Sequence, residues 1–115
     1  MKKSFILIGL LAAVFLLYNC NPSRRAAKKI PKTMYEDQLQ LVIAANCTPC
    51  HFPAKGGNKK PLDNYANVKV NIDDIIHRIS LNPTEKGFMP NKKSKLNDST
   101  ITVFKKWVAD GLLEK

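Results

Sequence analysis

The 115-residue sequence predicts an all-α domain with long loops. Three segments space apolar side chains three and four residues apart, as one face of an α-helix requires. No segment shows the alternation of apolar and polar residues that is typical of a half-buried strand. Two polar loops, at 52–62 and 81–97, separate the helices, and loops of this length in a small domain often wrap a ligand. A chain this short is also marginal as a self-sufficient core, so a ligand or another staple is expected.

The chain begins with a segment typical of an export signal. Lys2 and Lys3 supply positive charge, and residues 5–17 form a thirteen-residue apolar run that is short for a membrane span. Cys20 follows this run, and the arrangement resembles a bacterial lipoprotein signal. We interpret residues 1–19 as a signal peptide and Cys20 as the acylated first residue of the mature protein. Ordinary cleavage and an uncleaved anchor are the alternatives, and all three place the rest of the chain outside the cytoplasm.

Residues 20–33 are interpreted as the lipidated N-terminus followed by a basic linker. The linker has two prolines, no acid and five basic residues: Arg24, Arg25, Lys28, Lys29 and Lys32. It lacks the apolar residues needed for a core, so we expect a tether that either favours anionic lipid head groups or is a solvated spacer. We expect the protein to be lipid-anchored in the cell membrane or the outer membrane, with the domain facing the periplasm.

Most of the formal net charge of +10 comes from these first segments. Residues 33–115 hold 12 Lys+Arg and 9 Asp+Glu, so the folded part is only mildly basic. Because neither a nucleic-acid-binding motif nor a basic helix face is visible in the sequence, no nucleic-acid partner is expected.

The first helix is predicted from about Met34 to Asn46. One of its faces carries Tyr35, Leu39, Val42 and Asn46, with Ile43 beside them. Two acidic residues lie in its first turn, where negative charge suits the helix dipole. This helix leads the chain directly into Cys47.

A short helix is predicted from Asp63 to about Lys69, and a middle helix follows from Ile72 to Ser80 with Asn71 as its N-cap. Four isoleucines form the apolar face of the middle helix: Ile72, Ile75, Ile76 and Ile79. His77 falls off that face on a helical wheel, so we interpret it as a surface histidine.

The last helix is predicted to start at an N-cap of Asp98 or Ser99 and to run to Asp110, with Gly111 as the C′ residue. One stripe, flanked by Trp107, is expected to pack in the core: Ile101, Phe104, Val108 and Leu112.

The residues that carry chemistry are Cys47, Cys50 and the adjacent His51. A structural zinc site needs four ligands, commonly two separated pairs, and this chain has one such pair. Thiol–disulfide exchange is typical of a Cys-x-x-Cys motif within a βαβ pattern, which is absent from the sequence. Both chemistries are disfavoured.

Covalent attachment of haem accounts for all three residues. Cys-x-x-Cys-His is the attachment signature of c-type haem, in which both thiols become thioethers and the histidine binds the iron. We therefore predict one covalently bound haem c, attached through Cys47 and Cys50, with His51 as an axial ligand. Met89, in the loop sequence Gly-Phe-Met-Pro, is the candidate for the second axial ligand. Its alternative is a loop methionine packed on the core.

These features together resemble the single-haem class I cytochromes c, specifically the small bacterial ones. The resemblance covers about Met34 to Leu113 and rests on an N-terminal helix leading into Cys47-x-x-Cys50-His51, on Met89-Pro90 and on the final helix with Trp107. It implies a cytochrome c domain at 34–115, with three to five helices wrapped around one haem and with the first and last helices packed together. It also implies that the Pro61 carbonyl accepts a hydrogen bond from His51.

The function that the resemblance implies is electron transfer by a membrane-tethered carrier that is not an enzyme. Histidine–methionine ligation leaves little room for a substrate at the iron and raises its reduction potential. The alternative is a haem-based sensor of gas or peroxide, or a haem enzyme, in which the distal ligand is labile. A non-catalytic haem-carrying part of a respiratory assembly is a third possibility.

The two loops expected around the haem are rich in lysine. They hold one acid, Glu85, and seven lysines: Lys55, Lys59, Lys60, Lys86, Lys92, Lys93 and Lys95. We predict that these seven lysines, the lysine rim, steer docking to redox partners with an acidic surface. The alternative is a set of solvated lysines without a docking role.

Overall fold

The computed structural model describes residues 30–115, of which Pro31–Lys115 form one unit. A π-helical turn, Tyr35–Leu39, runs into helix α1, Gln40–Cys47, and a short 3-10 turn, Pro53–Lys55, comes next. Helices α2, Tyr65–Val70, α3, Ile72–Ser80, and α4, Asp98–Ala109, complete the order. Within residues 30–115 no strand forms, and an isolated bridge joins Met34 to Leu113. The predicted all-α class is confirmed for this part of the chain.

Some predictions lie outside the described residues. These are the signal peptide at 1–19, the acylation site Cys20 and the linker up to residue 29. From residue 30 onwards, no helix is both long and apolar enough to cross a membrane.

The end of the predicted linker packs on the domain. Thr33 is buried, and its backbone N–H donates to Asp110 Oδ2 at 2.6 Å. Lys106 Nζ bonds the same carboxylate and also donates to the Pro31 carbonyl at 3.2 Å. The Lys106 ammonium and the Thr33 N–H hold the pKa of Asp110 below its ordinary value. The folded unit therefore includes the last three residues of the predicted linker.

The first helical segment, made of the π-helical turn and α1, packs in the core and also borders a cavity. Tyr35, Leu39 and Ile43 are buried in the core at a spacing of four residues. Val42, predicted on the same face, is partly buried against this core and also lines a cavity, as does Asn46. The π-helical turn at the start of the segment is wider than an α-helical turn and shifts the residues that follow it around the helix axis.

The two ends of the unit meet at one edge. The Tyr35 N–H donates to the Leu113 carbonyl at 2.9 Å, and the Trp107 indole N–H donates to the same carbonyl at 2.7 Å. The rings of Tyr35, Tyr65 and Trp107 lie with centroids 5.7 to 6.1 Å apart, within the range of favourable aromatic pairs. The first turn thus packs against α4 without a glycine in either helix.

Helices α2 and α3 follow one another with one residue between them. Asn64 caps α2 by accepting from the Asn67 N–H at 2.9 Å. The predicted N-cap of α3, Asn71, stands at the right position, but its side chain donates to the Asn67 carbonyl at 2.7 Å instead of capping α3. The isoleucine face is confirmed, with three of its members buried: Ile72, Ile75 and Ile79. His77 is exposed, as predicted.

Helix α4 corrects two predictions. Its N-cap is Asn97, whose side chain accepts from the Thr100 N–H at 2.7 Å, one residue before Asp98. Val108 is 38% exposed, and Trp107, fully buried, takes the central core position that the stripe assigned to Val108. Gly111 is the C′ residue as predicted, with φ at +100°, and the Leu112 N–H donates to the Trp107 carbonyl at 2.9 Å.

We expect Tyr65→Phe to lower the thermal unfolding midpoint. The change keeps the ring but removes the hydroxyl, which donates to the Leu112 carbonyl at 2.9 Å and accepts from the exposed Lys69 Nζ at 3.1 Å. Loss of one such hydrogen bond costs about 1 kcal/mol, or about 4–8 °C in a domain of this size. Tyr35→Phe is the matched control, because the Tyr35 hydroxyl forms no hydrogen bond within residues 30–115. The midpoints are measured by circular dichroism, and equal midpoints for the two variants would contradict this role of Tyr65.

Candidate functional site

Helix α1 ends at the cysteine motif. Cys47 is its last residue, and Thr48 has an extended backbone, as expected for a residue that precedes proline. The His51 N–H still reaches the Cys47 carbonyl at 3.1 Å, and the Phe52 N–H reaches the Pro49 carbonyl at 2.9 Å. Cys47, Cys50 and His51 are therefore held in one tight turn at the end of a helix.

The loop after the motif folds back on this turn. The Lys59 N–H donates to the Cys50 carbonyl at 3.0 Å, and the Leu62 N–H donates to the His51 carbonyl at 2.9 Å. Gly57 lies against the same backbone, where an added Cβ would be 2.3 Å from the Pro49 oxygen and 2.6 Å from the Cys50 oxygen. Only glycine allows so close an approach. The motif is therefore held by helix α1 before it and by this loop after it.

The His51 ring is oriented by a backbone carbonyl. Nδ1 lies 2.7 Å from the carbonyl oxygen of Lys60. A carbonyl can only accept, so Nδ1 carries a proton, and in the neutral ring Nε2 then has the lone pair that a metal would use. The prediction that Pro61 supplies this carbonyl is corrected by one residue. The Leu62–His51 hydrogen bond sets the register of the loop and brings the carbonyl of Lys60 to the ring.

Met89 is held at the end of α3. Its N–H donates to the Arg78 carbonyl at 3.2 Å, in the last turn of that helix. The side chain is half-buried and packs against the hydrophobic core. Tertiary structure thus brings Met89 into contact with α3, and the sequence of its own loop does not indicate this contact.

One cavity of about 510 Å³ connects these groups. Cys47, Cys50, His51 and Met89 all line it. Most of its wall is apolar and includes Val42, Leu62, Ile75, Ile79, Leu96 and Phe104. A volume of this size with a few converging polar groups is typical of a cofactor or ligand site.

The two thiols differ in their surroundings. Burial raises the pKa of the Cys47 thiol to about 11, and the nearby Lys93 ammonium lowers it by a smaller amount. Cys50 is exposed. A nucleophilic cysteine of an exchange enzyme has a lowered pKa, so Cys47 does not have the environment of that chemistry.

The residues around the cavity fit a haem. Two thiols, an imidazole with a free Nε2 and a thioether are the donors that haem c attachment and ligation use. The apolar walls suit a flat, largely apolar ring. From residue 30 onwards, no three side chains among His, Cys, Asp and Glu are grouped so as to hold a metal ion by themselves.

The lysine rim is divided between two roles. Lys59, Lys60 and Lys92 are exposed and line the cavity. Lys93 also lines it, but its Nζ donates to the Ala45 and Asn46 carbonyls at 3.3 and 3.4 Å, at the end of α1. Lys95 similarly donates to the Ser80 carbonyl at 3.0 Å, at the end of α3.

The two other members of the rim, Lys55 and Lys86, are exposed and lie outside the cavity lining. Lys55 Nζ sits 5.7 Å from the centroid of the Phe52 ring. Two of the seven lysines therefore serve as helix caps, and the three exposed ones at the cavity form no side-chain hydrogen bond or ion pair within residues 30–115.

The sequence reasoning missed Arg78. This residue bonds Asp74, lines the cavity and contacts the loop that carries Met89. The Asp74–Arg78 spacing of four residues on a helix was the signal that could have found the pair. The contact with the loop has no local signal, because it joins positions nine residues apart across a turn.

Comparison of the chain with known proteins identifies no relative, since no family model, curated protein or solved structure matches it. The interpretation of the site therefore depends on its own residues. Their donor set and the cavity they share are the observations that bear on function.

We expect Gly57→Ala to destabilise the domain. The new Cβ would collide with the backbone of Pro49 and Cys50, and overpacking of this kind costs about 1–3 kcal/mol. Gly56→Asn is the matched control, because a Cβ there meets nothing within 4 Å and asparagine tolerates the positive φ of +79°. A thermal midpoint of Gly57→Ala equal to that of Gly56→Asn would show that the close approach does not constrain the motif.

Proposed function

We propose that this protein is an electron carrier with one haem c, attached through Cys47 and Cys50 and ligated by His51 and Met89. The observation that carries the proposal is that the four donors line a single, largely apolar cavity. The packing of the first helical turn against α4 supports a cytochrome c-like arrangement, because the resemblance implied contact between the first and last helices.

The chain's own residues have defined tasks in this proposal. When bound, the haem supplies an iron that gains and loses one electron. The Lys60 carbonyl orients the His51 ring and fixes Nδ1 as its hydrogen-bond donor. The half-buried Met89 provides a soft thioether, which favours the reduced state, and the apolar walls limit access of water.

The polar residues of the cavity favour a carrier over an enzyme. Within the described residues, the carboxylate that lines the cavity is Asp74, and it is paired with Arg78 at 2.9 Å. The Arg78 guanidinium lowers the pKa of Asp74, so this group stays ionised and is a poor general acid.

We further propose that the domain is tethered to a membrane outside the cytoplasm through an acylated Cys20. The apolar run and the cysteine that follows it support this proposal. The folded unit begins at Pro31. Ten residues separate it from Cys20, so the tether could reach at most about 35 Å.

The proposed partner is a redox protein with an acidic docking surface. Lys59, Lys60 and Lys92 support this idea, because they are exposed and lie at the cavity that would hold the haem. Opposite charge on a partner would raise the association rate and fix the orientation of docking.

The ligand assignment predicts the spectrum of the purified protein. We expect a c-type pyridine haemochrome and a low-spin ferric form with the weak methionine–iron charge-transfer band. Met89→Ala should lose that band because the thioether is removed, whereas the control Met34→Leu should keep it. Two results for the wild-type protein would favour the sensor alternative. One is a ferric form that lacks the band, and the other is a reduced form that binds carbon monoxide without displacing a ligand.

The docking assignment predicts a rate that depends on salt. Electron transfer to ferricyanide, an anionic oxidant, should slow by about 10-fold between low and high ionic strength if the basic surface steers it. Lys59→Gln/Lys92→Gln should reduce both the rate and its salt dependence. The control Lys105→Gln/Lys115→Gln removes the same amount of charge away from the cavity, so it should change the rate and its salt dependence less. A flat dependence on salt, or equal effects of the two double variants, would contradict the docking surface.

A further inference from the structure

The loop that carries Met89 is anchored at two separate places. Its second half is held by Lys93 and Lys95, which donate to carbonyls at the ends of α1 and α3. Among the helical residues described, Arg78 alone forms hydrogen bonds with the segment Gly87–Met89, and the Met89 side chain also packs against the core. The Met89 N–H donates to the Arg78 carbonyl at 3.2 Å, and Arg78 Nη1 donates to the Gly87 carbonyl at 3.4 Å. The Arg78 side chain supplies only the bond to Gly87, since Met89 bonds the Arg78 main chain. Its loss would therefore remove one of the two hydrogen bonds that hold this segment, without releasing the whole loop.

Asp74 fixes the direction of the Arg78 side chain. Nε of Arg78 lies 2.9 and 3.0 Å from the two carboxylate oxygens of Asp74, one turn earlier on α3. The two side chains are 40% and 44% exposed, and an exposed pair at this spacing contributes little to global stability. Its main effect is geometric, since it points Nη1 towards Gly87.

The loop segment lies directly on the guanidinium. A Cβ added to Gly87 would be 3.2 Å from Arg78 Nη1, so a side chain at position 87 would press on the contact. Asp74, Arg78 and Met89 also line the same cavity. The pair thus lies beside the segment that would have to move for Met89 to leave the cavity.

We propose that Arg78, oriented by Asp74, is a positioning residue that holds Met89 in the cavity and so controls how readily another ligand displaces it. The inference rests on the proposed role of Met89 as an axial ligand. Displacement requires the segment Gly87–Met89 to move away, and the contact between Arg78 and Gly87 opposes that movement. Weakening the contact raises the population of the open segment, and the apparent affinity for a competing ligand rises by the same factor.

The first test is titration of the haem-loaded ferric protein with imidazole. Arg78→Gln should bind imidazole about 5–10-fold more tightly than wild type, the change expected for loss of one modest hydrogen bond. Arg78→Lys keeps the charge but not the planar fork, so its affinity should lie between the two. His77→Gln, an exposed neighbour on α3, is the control and should match wild type. An Arg78→Gln affinity equal to that of His77→Gln would overturn the proposal.

A double-mutant cycle tests whether Arg78 acts through Met89. In a Met89→Ala background no thioether remains to be displaced, so adding Arg78→Gln should leave imidazole affinity unchanged. If Arg78→Gln raises the affinity equally in both backgrounds, Arg78 affects the cavity in general and the positioning role is wrong. Asp74→Asn should give a smaller change in the same direction, again only when Met89 is present.

Amide hydrogen exchange separates this proposal from the proposed function. The exchange rate of the Met89 amide should rise about 5–10-fold in Arg78→Gln, while amides in the middle of α4 stay unchanged. This measurement needs no haem. A colourless protein would refute the proposed function, yet faster exchange in it would still support the contact between Arg78 and the loop. Unchanged exchange would overturn that contact even in a protein with the expected spectrum.

Discussion

The constraint on which the site depends is that the turn from Cys47 to His51 is fixed from both sides. Helix α1 ends at Cys47, so the position of the first thiol is set by a helix packed in the core. The loop that follows returns through the hydrogen bonds of Lys59 and Leu62, and it brings the Lys60 carbonyl to the His51 ring. Without the hydrogen bond to the Lys60 carbonyl, the imidazole would be free to rotate and either ring nitrogen could carry the proton. With it, Cys47, Cys50 and His51 line the same cavity.

The remaining donor reaches that cavity by a different route. Met89 comes from a loop between α3 and α4 and is placed by contacts with Arg78, far from the cysteine motif in sequence. The apolar walls between the two sets of donors belong to the core of a small domain. An apolar group that filled the cavity would add buried surface where a chain of this length has little to spare. In the proposed protein, the haem would therefore serve stability as well as electron transfer.

Local patterns predicted the helices well, because helix α3 and the core faces of the others follow apolar spacing. One miss has a physical cause. Val108 was assigned by an ideal period, but Trp107, being larger, takes the core position on α4. The donors Cys47, Cys50, His51 and Met89 could be selected from residue type and spacing, and the structure brings them to one cavity. The contacts of Arg78, Lys95 and Lys93 join residues 9, 15 and 47 positions apart, and no helical or strand periodicity indicates contacts of this kind.

The most direct test of the central claim is mass spectrometry of the exported protein after denaturation, reduction, alkylation and digestion. If haem is attached, the peptide that contains Cys47, Cys50 and His51 should carry the mass of one haem, and neither cysteine should be alkylated. Changing either cysteine to serine should reduce or abolish that attachment. A colourless protein in which both thiols are fully alkylated would contradict the account, and the cavity would then need another occupant.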